Sequence, residues 1–246
     1  ANEWCNKLAV RIGAMPVITT ATDARGMFAV DIFATEHNMR IVNPVMIKDI
    51  SGRILNNEPV GITGNDKYKN LLKVTEERWN GQIKYTDNSN NEYESGVQII
   101  TGKDDKMVFK RTLKLVPQEL AVGIGCKKGK SAQEIEQAVK KAFDKAGLLL
   151  EAIAVVASVD RKADETGIIE FARKWKVPYK TYTPEYLRNV EGDFVSSAFV
   201  EEQIGVGNVC ERSAGAASSG GEKLVGKTAG NGITVAIYRV AHKNKE

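Results

Sequence analysis

The chain has 246 residues, 42% of them hydrophobic and 27% charged, with a net charge of +4. That is the profile of a globular protein with one large core or two modest ones; the slight basic excess suits an acidic small molecule and is too weak to argue for nucleic acid. Cys5, Cys126 and Cys210 lie far apart with no C-x-x-C pair, and there are only two histidines, which argues against a disulfide framework and against a His-rich metal site.

The opening, Ala1-Asn-Glu-Trp-Cys5, lacks the basic start and apolar stretch of a signal peptide, and no apolar run approaches the ~20 residues that span a bilayer. A reduced, cytoplasmic setting is the expectation. Trp4, Leu8 and Ile12 recur at steps of four, as in an amphipathic helix already under way, so the natural protein is expected to begin earlier. Met15 to Thr20 is a short β-rich run and residues 21–26 a polar turn. Phe28 to His37 predicts a helix with Phe28, Ile32 and Phe33 on one face. A second helix follows Asn43-Pro44 to Leu55, and Val60 to Thr63 reads as a strand.

Residues 86–92 are polar and without period, hence a loop. Gly96 to Thr101 and Met107 to Leu113 flank a polar turn at residues 102–105, the signal of a hairpin. From Glu119 the strand–helix alternation returns. Leu120 to Ile124 is apolar. Ser131 and Glu134 have capping-box spacing for a helix to about Lys145, and Gly147 fits its stop. Ala152 to Ala157 predicts a strand buried on both faces. Asp164 to Trp175 is helical, Tyr179 to Tyr182 a strand, and Thr183-Pro184 opens a short helix. Residues 198–204 and 208–217 read as helices, and Lys223 to Gly226 and Ile233 to Val240 as strands.

The fold class is α/β: two α/β parts with mixed or parallel sheets covered by helices, joined by a small β-rich middle segment. The expected divisions are residues 1–68, 69–117 and 118–246.

Gly123-Ile-Gly-Cys-Lys-Lys-Gly-Lys-Ser131 falls short of a P-loop. The pattern needs a glycine five before Gly129, where Ile124 stands; Gly123 is one residue early and Gly125 one late. Two readings stay open: a backbone nest for a carboxylate or phosphate at a helix N-terminus, or a tight turn with solvated lysines. Thr19, Thr20, Thr22 and Asp23 follow a strand, where open α/β folds place ligands, yet Asp23 or Thr22 also suits a cap. Lys162-Ala-Asp-Glu165 also follows a strand, with Asp164 placed to cap and Lys162 to meet an anion or solvent. Glu211 starts a helix rich in small residues, where it is a fixed charge, a general base or a cap. Cys126 lies at a helix start beside lysines, which favours a thiolate, but has no nearby histidine to activate it. The scattered aromatics form no stacking platform.

Ala1-Asn-Glu3 and Gly13 to Asp23 resemble the N-terminal domain of the CbiG family of cobalamin biosynthesis, as do Asn43-Pro44 and Glu58 to Gly61. Gly123 to Gly129, Ala157 to Glu165, Val206 to Glu211, Lys227 and Gly232 to Ala236 resemble its C-terminal domain in order, while the middle stretch is similar only loosely. The helix after Glu211 is less regular than the family's.

The resemblance implies hydrolysis of the δ-lactone of cobalt-precorrin-5A with loss of acetaldehyde. It implies no cofactor of the protein's own, since the cobalt belongs to the substrate. For that chemistry, the residues at likely strand ends offer Glu3, Asp23 and Glu211 as the candidate catalytic carboxylates: Asp23 or Glu3 activating water, Glu211 fixing the pocket. Thr19, Thr20 and Thr22 would position the lactone. Asn2 and Gly125 would help line the substrate site, and Lys127, Lys128, Lys162 and Lys227 would hold peripheral carboxylates. The implied partners are the cobalt-corrinoid substrate, other enzymes of the pathway and a second copy in a homodimer, with neither nucleic acid nor membrane. Two other readings remain: a corrinoid carrier without chemistry, and a nucleotide-dependent regulator on the near-miss P-loop.

Overall fold

The computed structural model describes residues 11, 26–87, 89, 92–103, 105–192, 194 and 207–241. The opening helix and strand expected from the sequence, and the helix expected over residues 198–204, lie outside them. The chain divides into two units: residues 1–37, 41–99 and 106–115, and residues 38–40, 100–105 and 116–246.

In the first unit, helices α1 (Val30–Glu36), α2 (Ile47–Leu55) and α3 (Lys69–Arg78) accompany a sheet. Its strands are β1 (Met39–Ile41), β2 (Val60–Thr63), β3 (Ile83–Tyr85), β4 (Ser95–Ile99) and β5 (Arg111–Pro117), in the order β1-β5-β4-β2-β3. Every residue of β2 and β4 is buried, as expected of parallel strands covered on both faces. Gly61 and Gly96 pair across these strands, and a Cβ on either would run into the Phe109 ring, at 2.5 and 2.3 Å. Phe109 therefore packs against the sheet where the two glycines leave room.

Three expectations need correcting. Residues 95–99 and 111–117 do not form a hairpin: β4 and β5 run parallel. Turn composition marks a break in the strand but not its direction, and residues 100–110 are long enough for a crossover. The middle stretch contributes β3, β4 and β5 to the same sheet as β2. Ile32 faces outward, 42% exposed, and Val30, Phe33 and Ala34 form the buried face of α1.

The second unit has the strands β6 (Leu120–Cys126), β7 (Ile153–Val159), β8 (Tyr179–Tyr182), β9 (Lys223–Gly230) and β10 (Ile233–Arg239), in the order β8-β7-β6-β10-β9. β6, β7 and β8 are parallel, while β10 runs antiparallel to both β6 and β9. Its helices are α4 (Ala132–Lys145), α5 (Thr166–Lys174), α6 (Pro184–Arg188) and α7 (Val209–Ser218). Alternate strand residues separate two packing layers. Val122, Ile124, Val156, Val235 and Ile237 meet Ile135, Val139 and Phe143 of α4 and Ile168 and Phe171 of α5. Their neighbours Ala121, Ala157, Ala236 and Tyr238 face α7.

The α7 layer is thin because its residues are small. A Cβ on Gly123 would lie 1.8 Å from the Cys210 carbonyl oxygen, so this helix approaches the backbone of β6. Cys210 neighbours Gly123 and Ala217 neighbours Ala121, so α7 runs antiparallel to β6. Its N-terminus thus lies near the C-terminal end of that strand.

Candidate functional site

Asn2, Glu3, Thr19, Thr20, Thr22 and Asp23 lie outside the described residues. The remaining sequence candidates fall into two groups, both in the second unit.

Gly125, Lys127, Lys128 and Lys162 gather at the C-terminal ends of β6 and β7. Ser131 caps α4 in a full capping box: its hydroxyl accepts the Glu134 amide and the Glu134 side chain accepts the Ser131 amide. Lys130 adds an ammonium 2.7 Å from Glu134, and its bond, with those from Ser131, holds the exposed Glu134 carboxyl down at about 2. Gly129 turns at φ +82°, open to a side chain in space but not in backbone conformation.

The amide of Gly129 donates to Glu165 Oε1 at 2.7 Å, and Lys162 Nζ donates to Glu165 Oε2 at 2.8 Å. Glu165 is buried. Burial works to raise its carboxyl, but the bonds from Lys162 and Gly129 outweigh it and leave it below the ordinary carboxylate range. The turn that reads from sequence as an anion nest thus holds an anion of its own. Lys162 is paired, and Tyr179 donates its hydroxyl to the Lys162 carbonyl at 2.8 Å. Glu165, not Asp164, stands at the start of α5, without a side-chain cap bond. Lys127 and Lys128 remain exposed.

Cys126 sits half-buried in this cluster. Burial pushes its thiol up; Lys162 and Lys130 pull the other way and Glu165 opposes them. A raised thiol is the reverse of an activated nucleophile. Cys210, on α7, is buried and pushed up to about 11 by that burial.

The second group lies where α7 meets the edge strand β9. Asn208 adopts a left-handed conformation, φ 60° and ψ 58°, and its side chain accepts the Glu211 amide, capping α7. Glu211 is 3% exposed, and its two oxygens go to the backbone amide of Lys227 and to Lys223 Nζ at 3.4 Å. The register of β9 against β10 shifts between Val225 and Thr228, where Gly226 and Lys227 form an irregularity. Glu211 satisfies the amide that this irregularity turns away from the ladder.

Beside Glu211 runs a groove between α4 and β9. One depression of about 600 Å³ is lined by Ala138, Lys141, Lys227, Gly230, Ile233 and Val235, among others. A second of similar volume adjoins it, sharing Ala142, Lys145, Lys227 and Thr228 and reaching Glu211. Sequence reasoning named Lys227 and Glu211 but missed Lys141 and Lys145. Their i,i+4 spacing beside Ala138 and Ala142 on one helix face was the available signal. Among the described residues no cluster of histidine, cysteine and carboxylate side chains could hold a metal ion.

Residues 28–159 match the family model for the cobalamin biosynthesis central region, and residues 120–238 that for the cobalamin synthesis G C-terminus. Over 245 residues the chain is 31% identical to the cobalt-precorrin-5A hydrolase of Salmonella typhimurium, covering 98% of this chain and 68% of that one. The chain belongs to the CbiG family.

Other CbiG-type relatives agree in extent. A cobalt-precorrin-5A hydrolase of Priestia megaterium is 25% identical, with 98% of this chain and 66% of the relative covered. A protein described as a probable hydrolase of the same name, from Methanocaldococcus jannaschii, is 28% identical over 85% of this chain and 59% of its own length. The chain thus spans about two thirds, or somewhat less, of the length of the relatives it matches. Among solved structures, a cobalamin biosynthesis protein G homologue from Sulfolobus solfataricus aligns over 98% of this chain and 67% of its own, with 22% identity and a TM-score of 0.42. CobE, a protein of the cobalamin biosynthetic pathway, aligns over 51% of this chain and 92% of its own, with 27% identity and a TM-score of 0.48.

Proposed function

We propose that this CbiG-family chain hydrolyses the δ-lactone of cobalt-precorrin-5A and releases acetaldehyde, giving cobalt-precorrin-5B in anaerobic cobalamin biosynthesis. The observation that carries this is the 31% identity to the Salmonella typhimurium hydrolase across 98% of the chain. Lactone opening needs an activated water and donors for the developing oxyanion. Loss of the bridging carbon then needs a base, and an acid to protonate the corrinoid carbon.

Asp23 or Glu3 is proposed to activate the water, with Thr19, Thr20 and Thr22 positioning the lactone and Asn2 and Gly125 lining the site. Lys127, Lys128 and Lys227 would meet peripheral carboxylates. Lys162 would act through Glu165, to which it is already bonded, by holding the β6–α4 turn in place. Glu211 would fix the pocket by bracing β9. No cofactor of the protein's own enters this chemistry; the cobalt arrives with the substrate.

The experiment is anaerobic incubation with cobalt-precorrin-5A, with acetaldehyde trapped and quantified and the Salmonella typhimurium enzyme alongside. Aldehyde in proportion to product is the expected result. Tight binding of the corrinoid with no aldehyde would replace the hydrolase with a carrier.

A further inference from the structure

We propose that the groove between α4 and β9 is the seat of a cobalt corrin carrying free carboxylates, with Lys141, Lys145 and Lys227 as its anion-binding rim. The identity of the ligand rests on the hydrolase function proposed above; the groove itself rests on three observations.

The first is space. Two helices roughly 10 Å across cover about four strands spaced ~4.8 Å apart. On this face of the second unit α4 and α5 pack over the central strands, and β9 lies at the sheet's edge. Gly230 pairs with Ile233 and Thr228 with Val235, so their positions lie on the face that carries the Ile233 and Val235 side chains. A Cβ placed on Gly230 would meet nothing within 4 Å. The adjoining depressions, each about 600 Å³, lie in the size range of small-molecule sites.

The second is the floor. Ala142, Ile233 and Val235 are buried beneath it, and Ala138 continues the surface along α4. A corrin is an apolar macrocycle with carboxylates on its rim, and an apolar floor matches the ring.

The third is charge. Lys130, Lys162, Lys174 and Lys223 of this unit are each paired with a carboxylate. Among the described residues no carboxylate pairs with the ammonium groups of Lys141, Lys145 or Lys227, and all three line the groove. Lys141 and Lys145 stand one turn apart on α4 and Lys227 lines the same groove from β9, which suits carboxylates leaving a ring at separate points.

The test uses the whole chain and two independent changes, one of charge and one of space. The probe is cobyrinic acid, a stable cobalt corrin with free carboxylates, followed by its visible absorption. Cobinamide, with the carboxylates amidated, is the comparison. The chain should bind cobyrinic acid more tightly than cobinamide, with an affinity that falls as salt rises. K141E/K145E should weaken cobyrinic acid binding by about tenfold or more. G230F should weaken both probes by filling the groove, while K180E, on β8 at the opposite edge of the sheet, should leave affinity within about twofold of the unaltered chain.

Unchanged affinity in both K141E/K145E and G230F, with their circular dichroism intact, overturns the proposal, as does equal binding of the two probes. Binding that behaves as expected without acetaldehyde release from cobalt-precorrin-5A removes the hydrolase function and leaves the groove. Acetaldehyde release with an unchanged KM in both groove variants does the opposite.

Discussion

The carboxylate of Glu165 accepts the amide of Gly129 at 2.7 Å, joining the start of α5 to the turn between β6 and α4. With Lys162 on its other oxygen, Glu165 occupies the place an external phosphate or carboxylate would take. A tethered anion sits there at high effective concentration, so a free anion must displace it.

Removing Glu165 should therefore both destabilise the unit and open an anion site. E165A leaves the Gly129 amide unsatisfied and Lys162 unpaired, at a cost of about 1–3 kcal/mol in urea melts at neutral pH. The folded carboxyl lies below its unfolded value of about 4.3. Its contribution is thus present above that pH and is lost as pH falls through the folded value. The gap between E165A and the unaltered chain should narrow on acidification through that window. Phosphate should raise the melting temperature of E165A selectively; an equal rise in the unaltered chain would mean the turn was never filled.

Two glycines in the same β6–α4 segment should respond differently to alanine. Gly123→Ala drives a Cβ to 1.8 Å from the Cys210 carbonyl, backbone against backbone, and α7 must lift from the sheet. A loss of about 3 kcal/mol or more is expected, at the upper end of overpacking. Gly129→Ala meets no atom within 4 Å and bears only the strain of φ +82°, about 1 kcal/mol. Denaturant midpoints measured side by side decide this, and a Gly123→Ala chain as stable as Gly129→Ala would refute the close approach of α7.

What could be read from the sequence was what is local. The capping box at Ser131 and Glu134, the stop at Gly147 and the buried run of β7 depend on neighbours within a few residues, and each stands in the structure. The features missed depend on partners far along the chain. Glu165 is separated from Gly129 by a whole helix and strand, so its neighbours in sequence pointed only to the start of a helix with Asp164 as the cap. Lys141 and Lys145 acquire meaning only when β9, some eighty residues later, supplies Lys227 and the open position at Gly230. The direction of β5 was lost for a related reason: hairpin and crossover connections share the same turn residues. The apolar spacing around Ile32 fits more than one helix face, and packing chose Val30 and Phe33.

Glu211 offers a way to separate bracing from chemistry. E211A orphans the Lys227 amide and takes a carboxylate away from Lys223, and should cost about 2–3 kcal/mol. E211Q keeps an oxygen for that amide and should recover roughly half of the loss. If Glu211 fixes the pocket, E211Q keeps kcat within a few-fold and raises KM. A fall in kcat of about a hundredfold or more, with stability near that of the unaltered chain, would make it an acid or base in the reaction.

Cys126 provides the last check on the cluster around Glu165. Burial raises its thiol, so the thiolate fraction at neutral pH lies below that of a free cysteine. Iodoacetamide should therefore modify Cys126 more slowly than a small thiol, and Cys210, pushed up to about 11 and buried, more slowly still. Peptide mass spectrometry resolves the two sites. Glu165 is the negative neighbour opposing Lys162 and Lys130, so E165Q lets the ammonium groups act unopposed and should speed alkylation of Cys126 with little effect at Cys210. Modification of Cys126 faster than the small thiol in the unaltered chain would reverse this account and restore it as a nucleophile.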